Sequence, residues 1–270
     1  MCWPLTFITR KDLIDHVYLT IRKYGDKLEA FDLNRFNKNT IDPVKLIFDK
    51  KVYLSTWEET ISNEIYRQRD KSNNNDIGYF HQGIFQYIKN CQTPSVGWDV
   101  IYSSPDGISI TEEDKVNTVY VEMKNKHNTM NSASAGKTFI KMQSQLLKDD
   151  ECACLLVEVI AKRSQNIKWE TTVDGTKVGH KLIRRVSIDQ FYSIVTQQKD
   201  AFYQLCMVLP DIIRDVVESE GEMLVPHDTV FDELSEKANG LKLNDRDRAM
   251  AMVIYMLGFS SYLGFCHSVK

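Results

Sequence analysis

The fold of this chain is decided by the stretch VYVEMKNKH at residues 119–127. Its apolar residues fall on every second position, which is the period of a β-strand with one buried and one polar face. On such a strand Glu122 and Lys124 share the polar face, and Met123 between them points into the core. The pattern therefore predicts a strand over residues 118–126 that carries a carboxylate and an ammonium group side by side.

The residues on either side of this strand predict the rest of a sheet. A strand pattern covers residues 98–103, and the turn-rich residues 103–107 separate it from the strand with the E-x-K pair. A helix is predicted at residues 137–147 and a fully buried strand at residues 152–161. Because a β-helix-β crossover makes the strands that it joins parallel, we expect a mixed sheet that is covered by helices.

Helical periodicity dominates both ends of the chain. The predicted helices cover residues 11–24, 55–71, 75–89, 188–196, 199–218, 230–239 and 245–259. We expect an α/β fold with a mixed central β-sheet flanked by helices and with helical additions at both termini. Residues 1–270 are expected to form a single domain, with its core at about 42–213 and a helical C-terminal extension at about 214–270.

The composition is typical of an ordered globular protein. Of the 270 residues, 43% are hydrophobic and 26% are charged, which excludes collagen-like and largely disordered chains. The six cysteines show no C-x-x-C spacing, so we expect reduced thiols rather than disulfides or a zinc site. Residues 1–11 lack a signal-peptide core, and the longest apolar stretch, residues 249–259, is too short to span a bilayer. We expect a cytoplasmic protein without a membrane partner.

Charge is distributed unevenly along the chain. The net charge of −3 and the pI near 6.1 argue against a generic nucleic-acid binder, which usually carries a basic surplus. However, residues 162–185 contain seven Lys and Arg residues against two acidic ones, and residues 211–247 contain eleven acidic residues against four basic ones. This polarity favours a protein with one basic face, although a solvated charge pattern without a partner would look similar.

The polar face of the E-x-K strand suits phosphodiester hydrolysis. Mg²⁺ binds oxygen ligands, often one or two carboxylates together with waters and phosphate oxygens. Asp99 on the preceding strand, Glu122 and the carbonyl of Met123 are candidate ligands. Lys124 would orient the attacking water or help to deprotonate it. E-x-K alone is a weak signal, because a solvated strand edge often alternates Glu and Lys. Three neighbouring features favour a nuclease. A predicted helix and Asp99 precede the E-x-K strand, and the crossover helix follows it.

Seven short blocks of residues carry more information than the E-x-K pair. They are Asp42-Pro43, WEETISNE at 57–64, Arg67-Gln68, IGYFHQ at 77–82, EMKNKHNT at 122–129, Phe191-Tyr192 and Leu209-Pro210. In order and spacing, over about residues 42–213, they resemble a family of type II restriction endonucleases that cut palindromes of the GGNCC or GGWCC type. The resemblance implies a PD-(D/E)XK core, Mg²⁺-dependent double-strand cleavage of DNA, and a catalytic E-x-K motif at residues 122–124.

Three aspartates compete for the role of the second metal-binding carboxylate. In the resembled family this Asp normally lies closer to the E-x-K motif than Asp99 does. Either the chain carries an insertion, or Asp106 or Asp114 is the ligand. We favour Asp99 because residues 98–101 have strand character, whereas Asp106 precedes a glycine in a turn-like context and Asp114 lies in a charged loop.

Further side chains are predicted to support the site or to contact DNA. His81 and Gln82 lie on a helix that the resembled family shares and that often reaches the metal site, and Glu64 is a candidate for supporting the metal ligands. Helix packing or a solvated position is the alternative for these three. The predicted DNA contacts are Asn125, Lys126, His127, Asn128, Lys137, Lys141, Lys162, Arg163, Lys181, Arg184 and Arg185. Residues 162–185 are expected to form a DNA-facing hairpin, and a solvated hairpin is the alternative.

The expected partners are double-stranded DNA and a second copy of the chain. A two-fold recognition sequence is most simply read by a two-fold protein, so we expect a homodimer. The sequence AGKT at residues 135–138 ends like a P-loop, but Asn131 stands in place of the first glycine, and no nucleotide cofactor is expected. Two other functions stay open: a structure-specific DNA repair or recombination nuclease of the same superfamily, and a non-catalytic DNA-binding protein.

Overall fold

The computed structural model describes residues 3–25, 29–127, 129–220, 227–241 and 243–260. The chain divides into two compact units. The first, which we call the sheet unit, comprises Met1–Arg22 and Asn75–Gly221. The second, the helical unit, comprises Lys23–Asn74 and Glu222–Lys270. The single domain with a core at about 42–213 stays a prediction.

The sheet unit is built on a six-stranded sheet. The strands are β1 Cys91–Gln92, β2 Val100–Ser109, β3 Lys115–Lys126, β4 Cys152–Ile160, β5 Asn166–Val173 and β6 Thr176–Ser187. They lie in the order β1-β2-β3-β4-β6-β5. β3 and β4 pair in parallel, as do β4 and β6, and the other neighbours are antiparallel. The predicted mixed sheet is therefore confirmed, and the hairpin predicted over residues 162–185 is formed by β5 and β6.

Helices account for most of the remaining described residues. They are α1 Arg10–Gly25, α2 Leu33–Asn37, α3 Pro43–Val52, α4 Trp57–Gly83, α5 Ser132–Leu146, α6 Ile188–Thr196, α7 Ala201–Glu220, α8 Val230–Gly240 and α9 Arg246–Phe259, with a 3-10 turn at Ile84–Tyr87. In the sheet unit, α1, α6 and α7 contribute to the core on one face of the sheet and α5 to the core on the other. In the helical unit, α2, α3, α8, α9 and the first part of α4 share a separate core. Among the described residues, no helix has the length and apolar composition of a bilayer span.

Strand β3 has the two faces that its alternation predicts. Val119 and Val121 are 0% exposed and Met123 is 3% exposed, and all three belong to the core that β4 shares. β4 is buried on both faces from Cys152 to Val157, as expected of a central strand with parallel neighbours. The strands predicted at residues 118–126 and 152–161 are confirmed.

Helix α5 makes the crossover that sets β3 parallel to β4. It begins at Ser132 rather than at residue 137, because the Oδ1 atom of Asn131 accepts a hydrogen bond from the amide of Ser134 at 2.8 Å and caps the first turn. The AGKT sequence therefore lies inside the helix and not at its start. Phe139 and Met142 are 0% exposed and pack on the apolar face of β4.

Residues 103–107 do not form the predicted turn, and they belong to β2. The pairing of β2 with β3 shifts register between Ser103 and Ile108, and Gly107 has a φ angle of 78°. A bulge of this kind takes up extra residues within a strand, and glycine adopts the positive φ angle without steric cost. The chain reverses at residues 110–114 instead.

The two helices predicted at residues 55–71 and 75–89 form one continuous helix, α4, followed by the 3-10 turn. The helix begins after a capping box of Thr56 and Glu59, in which each backbone amide donates to the side chain of the other residue at 2.7 and 3.1 Å. The polar sequence SNNN at 72–75 does not break the helix. Asn and Ser cost at most about 0.7 kcal/mol each relative to Ala in a helix interior.

The other predicted helices agree with the structure within two residues at each end. The sequence patterns did not predict the short elements α2, α3 and β1. The four described cysteines, Cys91, Cys152, Cys154 and Cys206, are free thiols, as expected.

Candidate active site

Asp99 is held against the middle of β3 by two hydrogen bonds. Its amide donates to the carbonyl of Val121 at 3.0 Å, and its Oδ2 atom accepts from the amide of Met123 at 2.6 Å. Asp99 directly precedes β2, and Val100 at the start of β2 pairs with Val121. This register places the Asp99 carboxylate beside the backbone of the E-x-K motif.

Glu122 holds an ammonium group on each of its carboxylate oxygens. Oε1 lies 2.8 Å from Nζ of Lys124, and Oε2 lies 2.8 Å from Nζ of Lys141. The side chains of Glu122, Lys124 and Lys141 are 17%, 30% and 37% exposed, so the cluster is partly buried but open to solvent. Glu122 and Lys124 share one face of β3, and α5 brings Lys141 to the same face.

Lys141 also contacts the segment that precedes Asp99. Its ammonium group lies 4.1 Å from the centroid of the Trp98 ring, and it donates a hydrogen bond to the carbonyl of Gly97. One side chain therefore connects α5, β3 and the approach to β2. The sequence pattern predicted Lys141 only as a DNA contact and did not indicate these partners.

The two carboxylates have pKa values that are shifted in opposite directions. Burial raises the pKa of Asp99 and the charge of Glu122 raises it further, against the hydrogen bond from the Met123 amide. Burial also pushes the pKa of Glu122 upward, but the hydrogen bonds and charges of Lys124 and Lys141 outweigh this effect and lower it. Two neighbouring carboxylates whose pKa values are shifted apart are typical of functional sites.

The oxygen donors at this site fit a hard divalent cation that keeps part of its water shell. Asp99 and Glu122 provide carboxylate oxygens, and the predicted third donor is the carbonyl of Met123. Mg²⁺ commonly binds to proteins through one or two carboxylates and completes its shell with water or phosphate. Within the described ranges, no three His, Cys, Asp or Glu side chains form a group that could hold a metal ion by themselves. Two carboxylates and one carbonyl leave positions for water and substrate, which suits an open catalytic site rather than a closed structural one.

Asp106 and Asp114 lie in other surroundings. Asp106 belongs to β2 and lines a cleft together with Tyr102 and Gln197. Asp114 lies in the loop before β3, where the hydrogen bond and charge of Lys181 lower its pKa. Of the three candidate aspartates, Asp99 is the one that the structure brings to the E-x-K motif.

Sequence reasoning missed Glu158, a carboxylate in the otherwise apolar β4. Its side chain is 2% exposed, His127 Nδ1 lies 3.0 Å from its Oε2 atom, and the guanidinium group of Arg185 pairs with its Oε1 atom. Glu158 pairs with Lys124 in the register of β4 and β3, so this cluster extends the polar face of the E-x-K motif towards β6. The run CACLLVEVI at 152–160 contains this single acidic residue. A carboxylate in a buried strand needs charged or hydrogen-bonding partners, so its position could have indicated a polar cluster.

The predicted DNA contacts fall into exposed and internally bonded groups. The exposed members are Lys126, Lys137, Lys162 and Arg163. Lys181 is also exposed but belongs to the second group, because it pairs with Asp114. His127 and Arg185 belong to the Glu158 cluster, and Arg185 Nη2 lies 2.8 Å from His127 Nδ1. Arg184 donates to the side chain and the backbone carbonyl of Asn166 at 2.5 and 2.6 Å. The second group must therefore exchange or share its partners to contact DNA.

Two of the predicted DNA contacts, Asn125 and Asn128, belong to neither group. The Oδ1 atom of Asn125 is buried and has no hydrogen-bond partner among the residues that the structure describes. Asn128 lies outside the described residues.

The three predicted supporting residues lie on α4. Glu64, in the helical unit, is 4% exposed and pairs with Arg67 at 2.5 Å, which explains its burial through local contacts. His81 and Gln82 lie in the sheet unit and are partly buried. Burial lowers the pKa of His81 to about 4, and the charge of His16 contributes, so its ring is neutral at neutral pH. A supporting role for these residues stays a prediction.

Comparison with known proteins agrees with the resemblance that the sequence blocks indicate. The Eco47II restriction endonuclease family matches residues 5–218. The type II restriction enzyme Sau96I of Staphylococcus aureus is 29% identical over 269 residues, which cover 97% of this chain and 98% of Sau96I. The type II restriction enzyme Eco47II of Escherichia coli is 25% identical over 224 residues, which cover 79% of this chain and 88% of Eco47II. The chain therefore belongs to the Eco47II restriction endonuclease family.

Proposed function

We propose that this chain makes Mg²⁺-dependent double-strand cuts in DNA at a short palindromic site. The observation that carries the proposal is the hydrogen bond between Asp99 and the Met123 amide, which brings a second carboxylate to the strand of Glu122 and Lys124. In this proposal Asp99, Glu122 and Lys124 are the catalytic residues. Asp99 and Glu122 would hold the metal ion, and Lys124 would act on the attacking water.

Asp99, Glu122 and the carbonyl of Met123 are the ligands that we assign to Mg²⁺. When bound, the ion supplies positive charge for the scissile phosphate and acidifies water for the attack. The Oδ2 atom of Asp99 accepts a hydrogen bond from the Met123 amide, which orients the carboxylate that would hold the ion. Burial and the charge of Glu122 raise the pKa of Asp99, and both effects favour a nearby cation.

Lys124 is assigned to the attacking water. Its ammonium group lies 2.8 Å from Glu122 Oε1 and is 30% exposed, so it reaches the space in front of the two carboxylates. An ammonium group donates three hydrogen bonds. It can therefore remain on Glu122 while it orients a water molecule and contacts a phosphate oxygen.

The exposed cations Lys126, Lys137, Lys162 and Arg163 are proposed to contact the phosphates of double-stranded DNA. Lys126 follows the E-x-K motif, Lys137 lies inside the crossover helix α5, and Lys162 and Arg163 precede β5. The same role for Lys181, Arg184, His127 and Arg185 requires that they exchange or share their internal partners. Contacts of this kind position the duplex. Sequence specificity comes from neighbouring side chains that contact the base edges.

A homodimer with one active site per strand is proposed as the functional form. A palindrome presents the same surface to two copies that are related by a two-fold axis. The proposed target is of the GGNCC or GGWCC type. Support comes from the blocks in residues 42–213 that resemble the family with such targets, and from the similarity to Sau96I over nearly the whole chain.

The test is incubation of the purified protein with mapped plasmid DNA, with Mg²⁺ and with EDTA, followed by sequencing of the fragment ends. We expect fragments of fixed length with Mg²⁺ and none with EDTA. Glu122→Ala and Lys124→Ala should abolish cutting while specific DNA binding remains. Glu112→Ala, which changes an exposed carboxylate in the loop before β3, should cut like the wild type.

Three results would contradict the proposal. Cutting by Glu122→Ala at the wild-type rate would overturn the roles assigned to the E-x-K motif. Fragment ends that follow DNA structure rather than sequence would indicate a repair or recombination nuclease. Specific binding without any metal-dependent product would indicate a non-catalytic DNA-binding protein.

A further inference from the structure

Lys141 is a second ammonium group on Glu122 that the E-x-K motif does not explain. Lys124 reaches Oε1 from the same strand, whereas Lys141 reaches Oε2 from α5, and both distances are 2.8 Å. Both oxygens of the carboxylate are therefore neutralised by side chains of the protein itself. The oxygen that a divalent cation would bind is already bonded to a lysine.

The position of Lys141 is defined by three acceptors on two segments, β3 and residues 97–98. Beside Glu122 Oε2, its ammonium group bonds to the carbonyl of Gly97 and lies 4.1 Å from the centroid of the Trp98 ring. The neighbouring Met142 is 0% exposed and anchors this turn of α5 in the core. The Lys141 side chain remains 37% exposed. An ammonium group on a long flexible stem can thus exchange partners without movement of the helix.

A divalent cation and Lys141 compete for Oε2 of Glu122. Both would approach the same oxygen, and the two positive charges repel each other across a partly buried site. Asp99 and Glu122 carry two negative charges, and Lys124 and Lys141 carry two positive charges. The site is thus balanced before any cation arrives, and a cation on Oε2 would displace Lys141. A DNA phosphate oxygen is a strong acceptor for the released ammonium group.

We propose that Lys141 is a place-holding cation of the metal site. In the free protein it occupies Glu122 Oε2, and it passes to a phosphate of bound DNA when the metal ion takes its place. The inference rests on the proposed function. Metal binding then increases the affinity for DNA, and DNA binding increases the affinity for the metal ion, because both require that the ion pair of Lys141 and Glu122 opens. Lys141 thereby disfavours metal binding in the absence of the substrate.

Tb³⁺ luminescence excited through tryptophan tests the first half of this proposal without DNA or turnover, because Trp98 lies at the site. The Lys141→Met variant keeps the apolar stem and the helix propensity of lysine. We expect it to bind Tb³⁺ about tenfold more tightly than the wild type, within the usual range of coupling between sites. Lys148→Met removes an exposed charge just after α5 and should bind like the wild type. Equal affinities of Lys141→Met and the wild type would overturn the proposal.

Acetylation of lysines followed by mass spectrometry tests the release of Lys141 and its passage to DNA. Ca²⁺ added to the wild type should increase the acetylation of Lys141 and leave that of Lys148 unchanged. A duplex that carries the mapped cleavage site, added together with Ca²⁺, should decrease the acetylation of Lys141 again. Acetylation that does not respond to Ca²⁺, or that stays high on DNA, would overturn the proposal.

The Glu122→Gln variant separates this inference from the proposed function. Both require that Glu122→Gln binds Tb³⁺ at least about tenfold more weakly than the wild type. If Glu122→Gln loses binding while Lys141→Met binds like the wild type, only the role of Lys141 is wrong. If Glu122→Gln binds Tb³⁺ as tightly as the wild type, the metal site of the proposed function is wrong.

Discussion

The Oδ2 atom of Asp99 lies 2.6 Å from the backbone nitrogen of Met123. This hydrogen bond connects the residue before β2 with the middle residue of the E-x-K motif on β3. It orients the Asp99 carboxylate without using the side chain of Glu122 or Lys124. Because the donor is a backbone amide, substitutions at Asp99 can separate the effect of this bond from the effect of the negative charge.

Asp99→Asn should abolish cutting and leave the fold intact. The amide oxygen of Asn still accepts the hydrogen bond from Met123, but the neutral side chain is a poor ligand for a hard cation. Burial and the charge of Glu122 raise the pKa of Asp99, so the fold disfavours its ionised form. The Asn variant should therefore unfold in urea at or above the wild-type midpoint.

Asp99→Ala is the matched variant, since it loses the hydrogen bond as well as the charge. It should be less stable than Asp99→Asn by about 1 kcal/mol, the usual contribution of one hydrogen bond. Urea denaturation and plasmid cleavage measure the two effects. An Asn variant that cuts at the wild-type rate would exclude Asp99 as a metal ligand.

Glu122→Gln should make the fold less sensitive to acid. Burial opposes ionisation of Glu122, but Lys124 and Lys141 outweigh it, so the pKa in the folded protein lies below the ordinary value of 4.5. A carboxylate with a lowered pKa stabilises the fold above its unfolded pKa, and this contribution is lost as the pH falls through the folded pKa. Below pH 4.5 the wild type should therefore lose stability more steeply than Glu122→Gln.

The measurement is the free energy of unfolding in urea at a series of pH values on both sides of 4.5. Glu112→Gln, at an exposed position, is the control and should follow the wild type. Parallel curves for Glu122→Gln and the wild type would show that the lysines do not stabilise the ionised carboxylate.

His81 should produce a second pH dependence, in a higher range. Burial, with a contribution from the charge of His16, lowers its pKa from 6.5 to about 4. Between these values the unfolded chain binds a proton that the folded protein does not, so the fold loses stability as the pH falls from 6.5 towards 4. His81→Asn should flatten the stability curve in this range. An unchanged slope would show that His81 is protonated in the folded protein.

Glu158 and Arg185 should be energetically coupled. The carboxylate is 2% exposed and burial opposes its ionisation, yet the hydrogen bonds and charges of Arg185 and His127 keep its pKa low. Removal of one partner leaves a charge with little access to water, so Glu158→Ala should lower the free energy of unfolding by about 2 to 4 kcal/mol. A double-mutant cycle with Arg185→Met should give a coupling of about 1 kcal/mol or more. Strictly additive effects would show that the pair does not stabilise the fold.

Local sequence patterns were sufficient for the elements that carry the candidate site. The alternation in residues 118–126 predicted which face of β3 is polar, because successive side chains of a strand point to opposite sides. The helix and the buried strand that follow predicted parallel pairing with β4, because a crossover connection allows that arrangement. Both inferences use properties of the backbone that hold in any protein.

The same kind of reasoning was wrong where packing overrides weak local preferences. The SNNN sequence at 72–75 contains poor helix formers, but α4 continues through it, since well-formed turns on both sides outweigh a few tenths of a kcal/mol per residue. Residues 103–107 contain turn-forming types, but pairing with β3 draws them into β2 through a bulge.

By itself, the sequence determined that Glu122 and Lys124 lie side by side on one face of β3, since the two residues are neighbours on one strand. Only the tertiary structure decided which partners join them. Asp99 meets Met123 across 24 residues, Lys141 meets Glu122 across 19, and Glu158 meets His127 across 31. Contacts over such separations depend on strand register and on the docking of α5 against the sheet, and no local pattern of residue types contains that information.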